Sequence, residues 1–412
     1  MTQKRILAKT LGAEIAKHHF NLKAIPRQSR PEIVDSALDI QTCSRARASI
    51  TSWPTYAPTP LHNLPALADE IGIAQLFYKD EATRLGLGSF KALGGAYAVL
   101  HSVAQEISVR GSTATDIEAL MAGQLSQAAG EITVVTATDG NHGRSVAWGA
   151  RNVGCRCIIY MHAEVSPGRQ SAVEAFGAQV VRVAGDYGES VRQAAQDAAA
   201  NNWLLVSDTA WPGYTDIPRS VMAGYTVMST EAMNQLPPTV TPTHVFIQGG
   251  CGGLAGAVCA DLWHRYDTQR PRFIVVEPVP ADCLFQSAVA GAVVNISVTR
   301  ESVMGGLSCG EVSLLGWDIL ESGADHFLTI EDDAVGPLMK QLAQGTGDDP
   351  RIVAGEAAVA GLAGCIAARA DADLCQTLAL NEQSTVLVFG TEGATDPTIY
   401  RQLVGSAADD LL

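Results

Sequence analysis

Lys91 lies in an unusual setting for a lysine, an apolar stretch framed by glycines. Its neighbours are Phe90, Ala92 and Leu93, within the segment LGLGSFKALGGA at residues 85–96. The segment predicts a turn followed by the start of a helix, where both the helix dipole and the loss of water disfavour a charged ammonium. A neutral lysine attacks carbonyl groups, so the first hypothesis is a Schiff base with an aldehyde cofactor. The alternative is a lysine whose stem packs while its amine reaches water.

A second segment, QGGCGGLAG at residues 248–256, places four glycines between a predicted strand and a predicted helix. Without Cβ atoms the backbone can wrap a phosphate, with its N–H groups and the helix dipole directed at the charge. A tight turn with close helix packing is the structural alternative. A dinucleotide site with Glu277 as the ribose acid is another, but it leaves Lys91 unexplained. The loop lacks the lysine and hydroxyl of a P-loop, which disfavours nucleoside triphosphate chemistry.

Two further polar turns follow predicted strands: TDGNHGR at residues 138–144 and GTEGATD at residues 390–396. Asn141 can hydrogen-bond a phenolic oxygen, and the Thr391 hydroxyl can face a heterocyclic nitrogen. Helix capping by Asp139 or Asn141 is the alternative for the first turn, although it accounts for only one of the two, and N-capping explains Thr391 equally well. Asp208 also follows a predicted strand, where it is either a functional carboxylate or the start of a turn. None of the nine histidines, His142 included, has metal-ligand spacing, so we expect no catalytic metal.

Composition excludes several classes of function. The chain has 28 basic and 43 acidic residues and a net charge of −15, so we expect neither nucleic acid nor an anionic membrane as a partner. Residues 1–21 lack the apolar run of a signal peptide, and no apolar stretch is long enough to span a bilayer, so we expect a cytoplasmic protein. Nine cysteines without a CxxC pair indicate reduced thiols, with pairing of Cys283 and Cys309 left open.

Short β-branched runs alternate with helical patterns along the chain, which predicts parallel βαβ units. A helix is expected over residues 165–176, and Gly177, which follows it directly, is expected to end it. The polar turns all follow strands, so they are expected to converge on one cleft at the carboxyl ends of the strands. The predicted strands are residues 75–80, 132–137, 156–161, 179–184, 203–207, 244–248, 273–277 and 385–389.

In order and spacing these segments resemble the fold-type II pyridoxal phosphate enzymes, the superfamily of tryptophan synthase β and threonine dehydratase. Within it the chain looks like the diaminopropionate ammonia-lyases, from about Tyr56 to about Leu403. The resemblance implies an α/β fold of two open, twisted, mainly parallel-sheet domains with the active site in the cleft between them. The large cofactor-binding domain would comprise residues 1–93 and 215–412, and the small domain residues 94–214. A homodimer is also implied. The resemblance rests on residues 91–97, 139–148, 208–218, 306–311 and 349–352.

The resemblance also implies a role for each candidate residue. Pyridoxal 5'-phosphate would be bound covalently by Lys91, with Asn141 on its phenolic oxygen and Thr391 on its ring nitrogen. The phosphate would lie on Gly249, Gly250, Cys251, Gly252 and Gly253. Asp139 and Asp208 would be the catalytic carboxylates, and Ser89, Thr138 and His142 would contact the substrate. Related dehydratases commonly have serine at the position of Asp139.

The implied reaction is the α,β-elimination of 2,3-diaminopropionate, as the D isomer, the L isomer or both, to pyruvate and ammonia via aminoacrylate. A carboxylate beside the β-ammonium of this substrate attracts the cation and can exchange protons with the departing amine. Lys91 would remove the Cα proton of the L isomer and Asp139 that of the D isomer. Ser89 and Cys251 read closer to serine/threonine dehydratases, so a serine, threonine or hydroxy-aspartate dehydratase is the alternative. A non-catalytic amino-acid-binding protein on the same fold is a more distant one.

Overall fold

A computed structural model describes residues 3–24, 29–111, 115–138 and 140–411. The described residues divide into two compact units. The seven-stranded unit is drawn from Met1–Ile40, Pro58–Thr83 and Met228–Leu412, and the four-stranded unit from Gln41–Ala57 and Arg84–Val227.

The strands of the described chain are β1 (Ile15–Phe20), β2 (Leu61–Asn63), β3 (Gln75–Asp80), β4 (Thr133–Ala137), β5 (Arg156–His162), β6 (Gln179–Val183), β7 (Leu204–Leu205), β8 (His244–Gln248), β9 (Arg272–Pro278), β10 (His326–Ile330) and β11 (Thr385–Gly390). Its helices are α1 (Gln3–Thr10), α2 (Glu32–Ala37), α3 (Ile40–Thr51), α4 (Pro65–Ile71), α5 (Lys91–Gly111), α6 (Ile117–Met121), α7 (Ser126–Gly130), α8 (Asn141–Val153), α9 (Pro167–Glu174), α10 (Tyr187–Asn201), α11 (Asp216–Gln235), α12 (Gly253–Tyr266), α13 (Cys283–Ala290), α14 (Leu314–Gly323), α15 (Val335–Gln344), α16 (Ala360–Ala370), α17 (Ala372–Leu378) and α18 (Pro397–Val404).

The seven-stranded unit is built on a sheet with the order β1-β10-β9-β8-β11-β3-β2. Its five inner strands are parallel, and the two edge strands β1 and β2 run antiparallel to their neighbours. Every residue of β8, β10 and β11 is buried, as expected for parallel strands with both faces covered. Helix α16 packs on β8 and β9. Two glycines allow this close approach, because a Cβ on Gly361 would lie 2.6 Å from the Phe246 carbonyl oxygen and one on Gly364 2.7 Å from Val276.

The four-stranded unit is built on a fully parallel sheet with the order β6-β5-β4-β7. Helix α10 packs on β4 and β5, and α5 packs along α8. The two helices approach closely, since a Cβ on Gly149 would lie 3.0 Å from the Ala96 Cα. The Ser145 hydroxyl also accepts a hydrogen bond from the Ala96 N–H, at 2.8 Å. This packing fixes the helix that begins at Lys91.

All eight predicted strands are present, and the α/β prediction is confirmed. Strands β1, β2 and β10 were not predicted. The sequence of β1, IAKHHF, does not alternate cleanly, β2 has only three residues, and β10 is a short run without a marked periodicity. Helix α9 ends at Glu174, two residues before the predicted end, and Gly177 follows in a left-handed turn with φ of 83°.

The boundaries of the compact units differ from the predicted domain division. Residues 41–57, 84–93 and 215–227 group with the four-stranded unit, although the sequence assigned them to the large domain. The functional domain boundaries and the position of the active site relative to the two units stay predictions. No helix in the described parts of the chain is both long and apolar enough to cross a membrane.

A buried histidine makes the seven-stranded unit sensitive to acid. The His326 ring is fully buried, and its Nδ1 lies 3.1 Å from Nε2 of His18 on the neighbouring strand. Burial lowers the pKa of His326 from 6.5 to about 4, with Asp325 opposing the change and His18 adding to it. An unfolded histidine therefore binds its proton at a higher pH than the folded one does.

Unfolding experiments should detect this difference. Since the unfolded state binds more protons between about pH 6.5 and about pH 4, stability is expected to fall across that window as the pH falls, by up to about 3 kcal/mol for this group. We expect His326→Gln to reduce the pH dependence of the urea midpoint in this window. A midpoint that falls equally with pH in both proteins would contradict the assignment.

Candidate active site

Lys91 is the first residue of α5, and its helix is held by close backbone packing. A Cβ on Gly94 would lie 2.4 Å from the Tyr225 ring, and one on Gly224 would lie 2.5 Å from the Leu93 carbonyl oxygen. The start of α5 therefore rests directly on α11. The Lys91 ammonium also lies near two aromatic rings, 5.4 Å from the centre of Phe90 and 5.8 Å from that of Tyr225. Its side chain is 21% exposed, so the snorkelling alternative does not describe it well.

The Lys91 ammonium forms an ion pair and hydrogen bond with the Asp208 carboxylate. Burial raises the pKa of Asp208, but the charge of Lys91, the proximity of His142 and the hydrogen bond from Lys91 outweigh it. The pKa of Asp208 therefore lies well below its usual range. The structure thus brings together two predicted catalytic residues that are separated by more than a hundred positions in the sequence.

His142 is the third member of this cluster and is buried. Its Nε2 donates to the Val206 carbonyl oxygen at 2.8 Å, which leaves Nδ1 as the acceptor in the neutral ring. Nδ1 lies 3.9 Å from Oδ2 of Asp208 and has no hydrogen-bond partner among the described residues. Burial lowers the pKa of His142, and Lys91 lowers it further, while Asp208 and Val206 oppose the shift. His142 thus presents a fixed, neutral ring to the Lys91–Asp208 pair.

Two tyrosines that hold this cluster were not found from the sequence. The Tyr214 hydroxyl donates to the Leu205 carbonyl oxygen at 2.6 Å and accepts from the Ser207 N–H at 3.0 Å, so it fixes the chain leading to Asp208. Tyr225 packs against the start of α5, as described above. The Trp211 and Tyr214 rings stack at 4.2 Å. The sequence signal that could have revealed Tyr214 was its position close after a carboxylate at the end of a strand. No signal in the sequence marked Tyr225.

The polar turn before α8 is organised by Thr138, which is buried after β4. Its hydroxyl oxygen accepts from the N–H groups of Gly140 and Gly143, at 3.0 and 3.1 Å. Thr138 therefore caps this turn, the role the sequence had offered to Asp139 or Asn141. Asn141 is the first residue of α8, and Asp139 lies outside the described residues. Contact of Thr138 with a substrate stays a prediction, as does that of Ser89, which is buried just before α5.

The glycine turn, residues 249–253, lies between β8 and α12 as predicted. Gly250 and Gly252 have φ of 57° and 95°, a left-handed conformation that side chains disfavour. Helix α12 has Gly252 at its N-cap, which provides no side-chain capping bond, as suits a helix N-terminus that would receive an anion. Cys251 lies in this turn, and its backbone carbonyl accepts from the Ser313 N–H at 2.8 Å.

Thr391 follows β11 directly and is buried. It does not cap the next helix, because the Asp396 carboxylate accepts from the first N–H groups of α18, those of Thr398 and Ile399. The capping alternative for Thr391 is therefore wrong. Gly390 before it is needed because a Cβ there would lie 2.1 Å from the Tyr78 ring.

All nine cysteines are free thiols, and Cys283 and Cys309 do not pair. Cys283 is the first residue of α13, not part of a turn, and its thiol donates to the Gly250 carbonyl oxygen at 3.6 Å. The Cys309 thiol donates to the Glu311 carbonyl oxygen at 3.1 Å. Among the described residues, no group of three or more histidine, cysteine or acidic side chains could hold a metal ion.

The family of pyridoxal-phosphate dependent enzymes matches residues 53–391, a span that includes Lys91, the glycine turn and Thr391. The chain belongs to this family. Taken one at a time, the residues that would hold this cofactor are suited to it. Lys91 can hold its aldehyde carbon, the glycine turn has the left-handed backbone and open helix N-terminus suited to a phosphate, and the buried Thr391 hydroxyl suits the ring nitrogen.

Two relatives of this pyridoxal-phosphate dependent enzyme that are more than 30% identical to it are diaminopropionate ammonia-lyases. The chain is 41% identical to the diaminopropionate ammonia-lyase of Escherichia coli (strain K12), covering 85% of this chain and 87% of that protein. It is 35% identical to that of Salmonella typhimurium (strain LT2), covering 85% and 89%. The crystal structure of the Escherichia coli enzyme in complex with an aminoacrylate–PLP reaction intermediate matches with a TM-score of 0.83 and 37% identity, covering 94% of this chain and 96% of that one.

Proposed function

We infer that the protein is a pyridoxal phosphate-dependent ammonia-lyase that eliminates ammonia from 2,3-diaminopropionate and yields pyruvate and a second ammonia via aminoacrylate. The observation that carries this inference is the 41% identity to a diaminopropionate ammonia-lyase along 85% of the chain. The part-buried Lys91–Asp208 pair is consistent with it, since it places a lysine that can form a Schiff base beside a charged carboxylate.

When bound, pyridoxal phosphate stabilises the negative charge left on the substrate Cα after proton removal. In our proposal Lys91 would hold the cofactor through its amine, and the same amine, once free, would remove the Cα proton of the L isomer. The centres of the Phe90 and Tyr225 rings lie 5.4 and 5.8 Å from the Lys91 nitrogen, and the two rings border the place where the amine acts.

Asp208 selects the leaving group in this proposal. The carboxylate holds the Lys91 ammonium in the free protein, and its low pKa keeps it charged at neutral pH. Once Lys91 is engaged with the cofactor, Asp208 can take the substrate β-ammonium in its place. The substrates of dehydratases carry a neutral hydroxyl at this carbon and gain nothing from the charge. Nδ1 of His142 lies 3.9 Å away, has no hydrogen-bond partner among the residues that the structure describes, and can accept a proton that passes through the carboxyl.

We propose that Asp139 removes the Cα proton of the D isomer, which faces the side opposite Lys91. Support comes from its position in the turn sequence TDGNHGR and from the resemblance described above. We also propose a cytoplasmic homodimer, as the resemblance implies, and light scattering of the purified protein tests the oligomeric state.

A serine, threonine or hydroxy-aspartate dehydratase is the second candidate, favoured by Ser89 and Cys251, which read closer to dehydratases. The test is to incubate the protein with each isomer of diaminopropionate, serine and threonine and to measure pyruvate or oxobutyrate. We expect kcat/KM for at least one isomer of diaminopropionate to exceed that for serine by about 100-fold or more. Faster turnover of serine or threonine would favour the dehydratase, and no turnover of any of them would favour the binding protein.

A further inference from the structure

Glu277 is a fully buried acid at the end of β9 that the proposed reaction does not use. Its Oε1 accepts a hydrogen bond from the Leu284 N–H at 3.0 Å and its Oε2 one from the Phe285 N–H at 2.7 Å. These two N–H groups belong to the first turn of α13, where backbone N–H groups have no carbonyl acceptor within the helix. The carboxylate of Glu277 therefore caps a helix that begins six residues later.

The residue at the usual capping position does not perform this role. Asp282 directly precedes α13 but makes no capping hydrogen bond. Its carboxylate instead accepts from the Lys17 ammonium and from the Gln286 side-chain amide, both at 2.9 Å. Two acids thus lie at the same helix end with different partners, and only Glu277 holds the backbone.

Glu277 also lies directly against the glycine turn. A Cβ on Gly249 would lie 2.5 Å from Cγ of Glu277, so the first residue of the turn rests on this side chain. The Gly249 N–H is fixed by the Val276 carbonyl oxygen, at 2.9 Å. The start of α13 touches the turn as well: the Leu284 side chain would lie 3.1 Å from a Cβ on Gly252. Helix, acid and turn form one packed assembly.

The burial of Glu277 excludes the ribose-binding role considered from the sequence, because no ligand can reach its oxygens. Burial raises its pKa to about 8, and the two backbone N–H bonds hold it below the value that burial alone would give. Burying such a group costs free energy because it loses its water, and its two hydrogen bonds to the backbone offset that cost.

We propose that Glu277 is a positioning residue for the cofactor phosphate, acting through the first turn of α13 and the glycine turn. The proposal rests on the proposed function, since it needs a phosphate on residues 249–253. Hydrogen bonds to a phosphate depend on the direction of each N–H group. Loss of the Glu277 contacts frees α13 to shift, and with it the surface on which Gly249 and Gly252 rest.

The test compares pyridoxal phosphate with pyridoxal, which has the same ring and aldehyde but no phosphate. Dissociation constants are measured from the visible absorbance of the lysine-bound cofactor in the wild type, Glu277→Gln and Glu277→Ala. Gln keeps the shape but replaces one acceptor oxygen by an NH₂ group. We expect affinity for pyridoxal phosphate to fall about tenfold in Glu277→Ala and less in Glu277→Gln, with affinity for pyridoxal within about twofold of the wild type.

Asp282→Asn is the matched control, because it alters an acid at the same helix end that touches neither the α13 backbone nor the turn. We expect it to bind both probes as the wild type does. Equal losses for the two probes, or no loss in either Glu277 variant, would overturn the proposal. If Glu277→Ala does not fold, Glu277→Gln decides the question. A wild type that binds neither probe would instead refute the proposed function.

Discussion

Lys91→Arg is expected to abolish diaminopropionate turnover, lowering kcat by roughly 10³-fold or more. The guanidinium keeps the positive charge and can still pair with Asp208, but it stays protonated and forms no stable Schiff base. The expected loss therefore reflects the chemistry of the amine and not the loss of the ion pair. Steady-state assay of pyruvate release from both isomers is the measurement.

Lys91→Ala is the companion variant, because it removes the charge as well as the amine. The Asp208 carboxylate, whose side chain is 13% exposed, is then left without its cation. We expect this variant to be as inactive as Lys91→Arg and less stable to denaturant. Measurable lyase activity in Lys91→Arg with either isomer would show that another residue carries the cofactor.

Asp208→Asn is expected to lower kcat/KM for diaminopropionate by about 10²-fold to 10³-fold, with a smaller effect on any slow turnover of serine. The amide keeps the shape of the side chain but no longer attracts the β-ammonium or exchanges a proton with the leaving amine. Comparing kcat/KM for the two substrates separates the charge effect from a general disturbance of the site. Equal losses for both substrates would contradict the role in leaving-group selection.

Asp216→Asn provides the control for charge in the same unit, because the Asp216 side chain is 94% exposed and its ion pair with Arg219 is a surface contact. It should leave kcat/KM unchanged.

The Asp208 variant should also change the stability of the protein to acid. A folded pKa below the usual range stabilises the protein above the unfolded pKa, and this contribution disappears as pH falls through the folded value. Asp208→Asn removes that contribution.

The central strands were predictable because parallel strands buried on both faces are continuous apolar runs, such as HVFIQ in β8. Edge strands give a weaker signal. Strand β1 joins the sheet through pairing with β10, a partner more than three hundred residues away, and its own sequence does not indicate it. The boundaries of the compact units could not be predicted from the sequence either, since residues 84–90 lead into α5 without any break in composition.

Lys91, Asp208 and the glycine turn were predictable because each places a chemically distinctive residue type in an unusual context. The contacts that surround these residues were not predictable from the sequence. The capping of the turn by Thr138, the fixing of Ser207 by Tyr214 and the capping of α13 by Glu277 are all bonds from backbone N–H groups to side chains two to eight residues away. Which nearby polar side chain accepts such a bond depends on the folded path of the backbone.

The most direct test of the central claim is to locate the cofactor chemically. The purified protein, reconstituted with pyridoxal phosphate, is reduced with borohydride, digested and analysed by tandem mass spectrometry. We predict a single reduced adduct on Lys91, in the peptide that contains Ser89 and Phe90, and loss of the visible absorbance on reduction. An adduct on a different lysine, or a colourless protein that forms no adduct, would contradict the account.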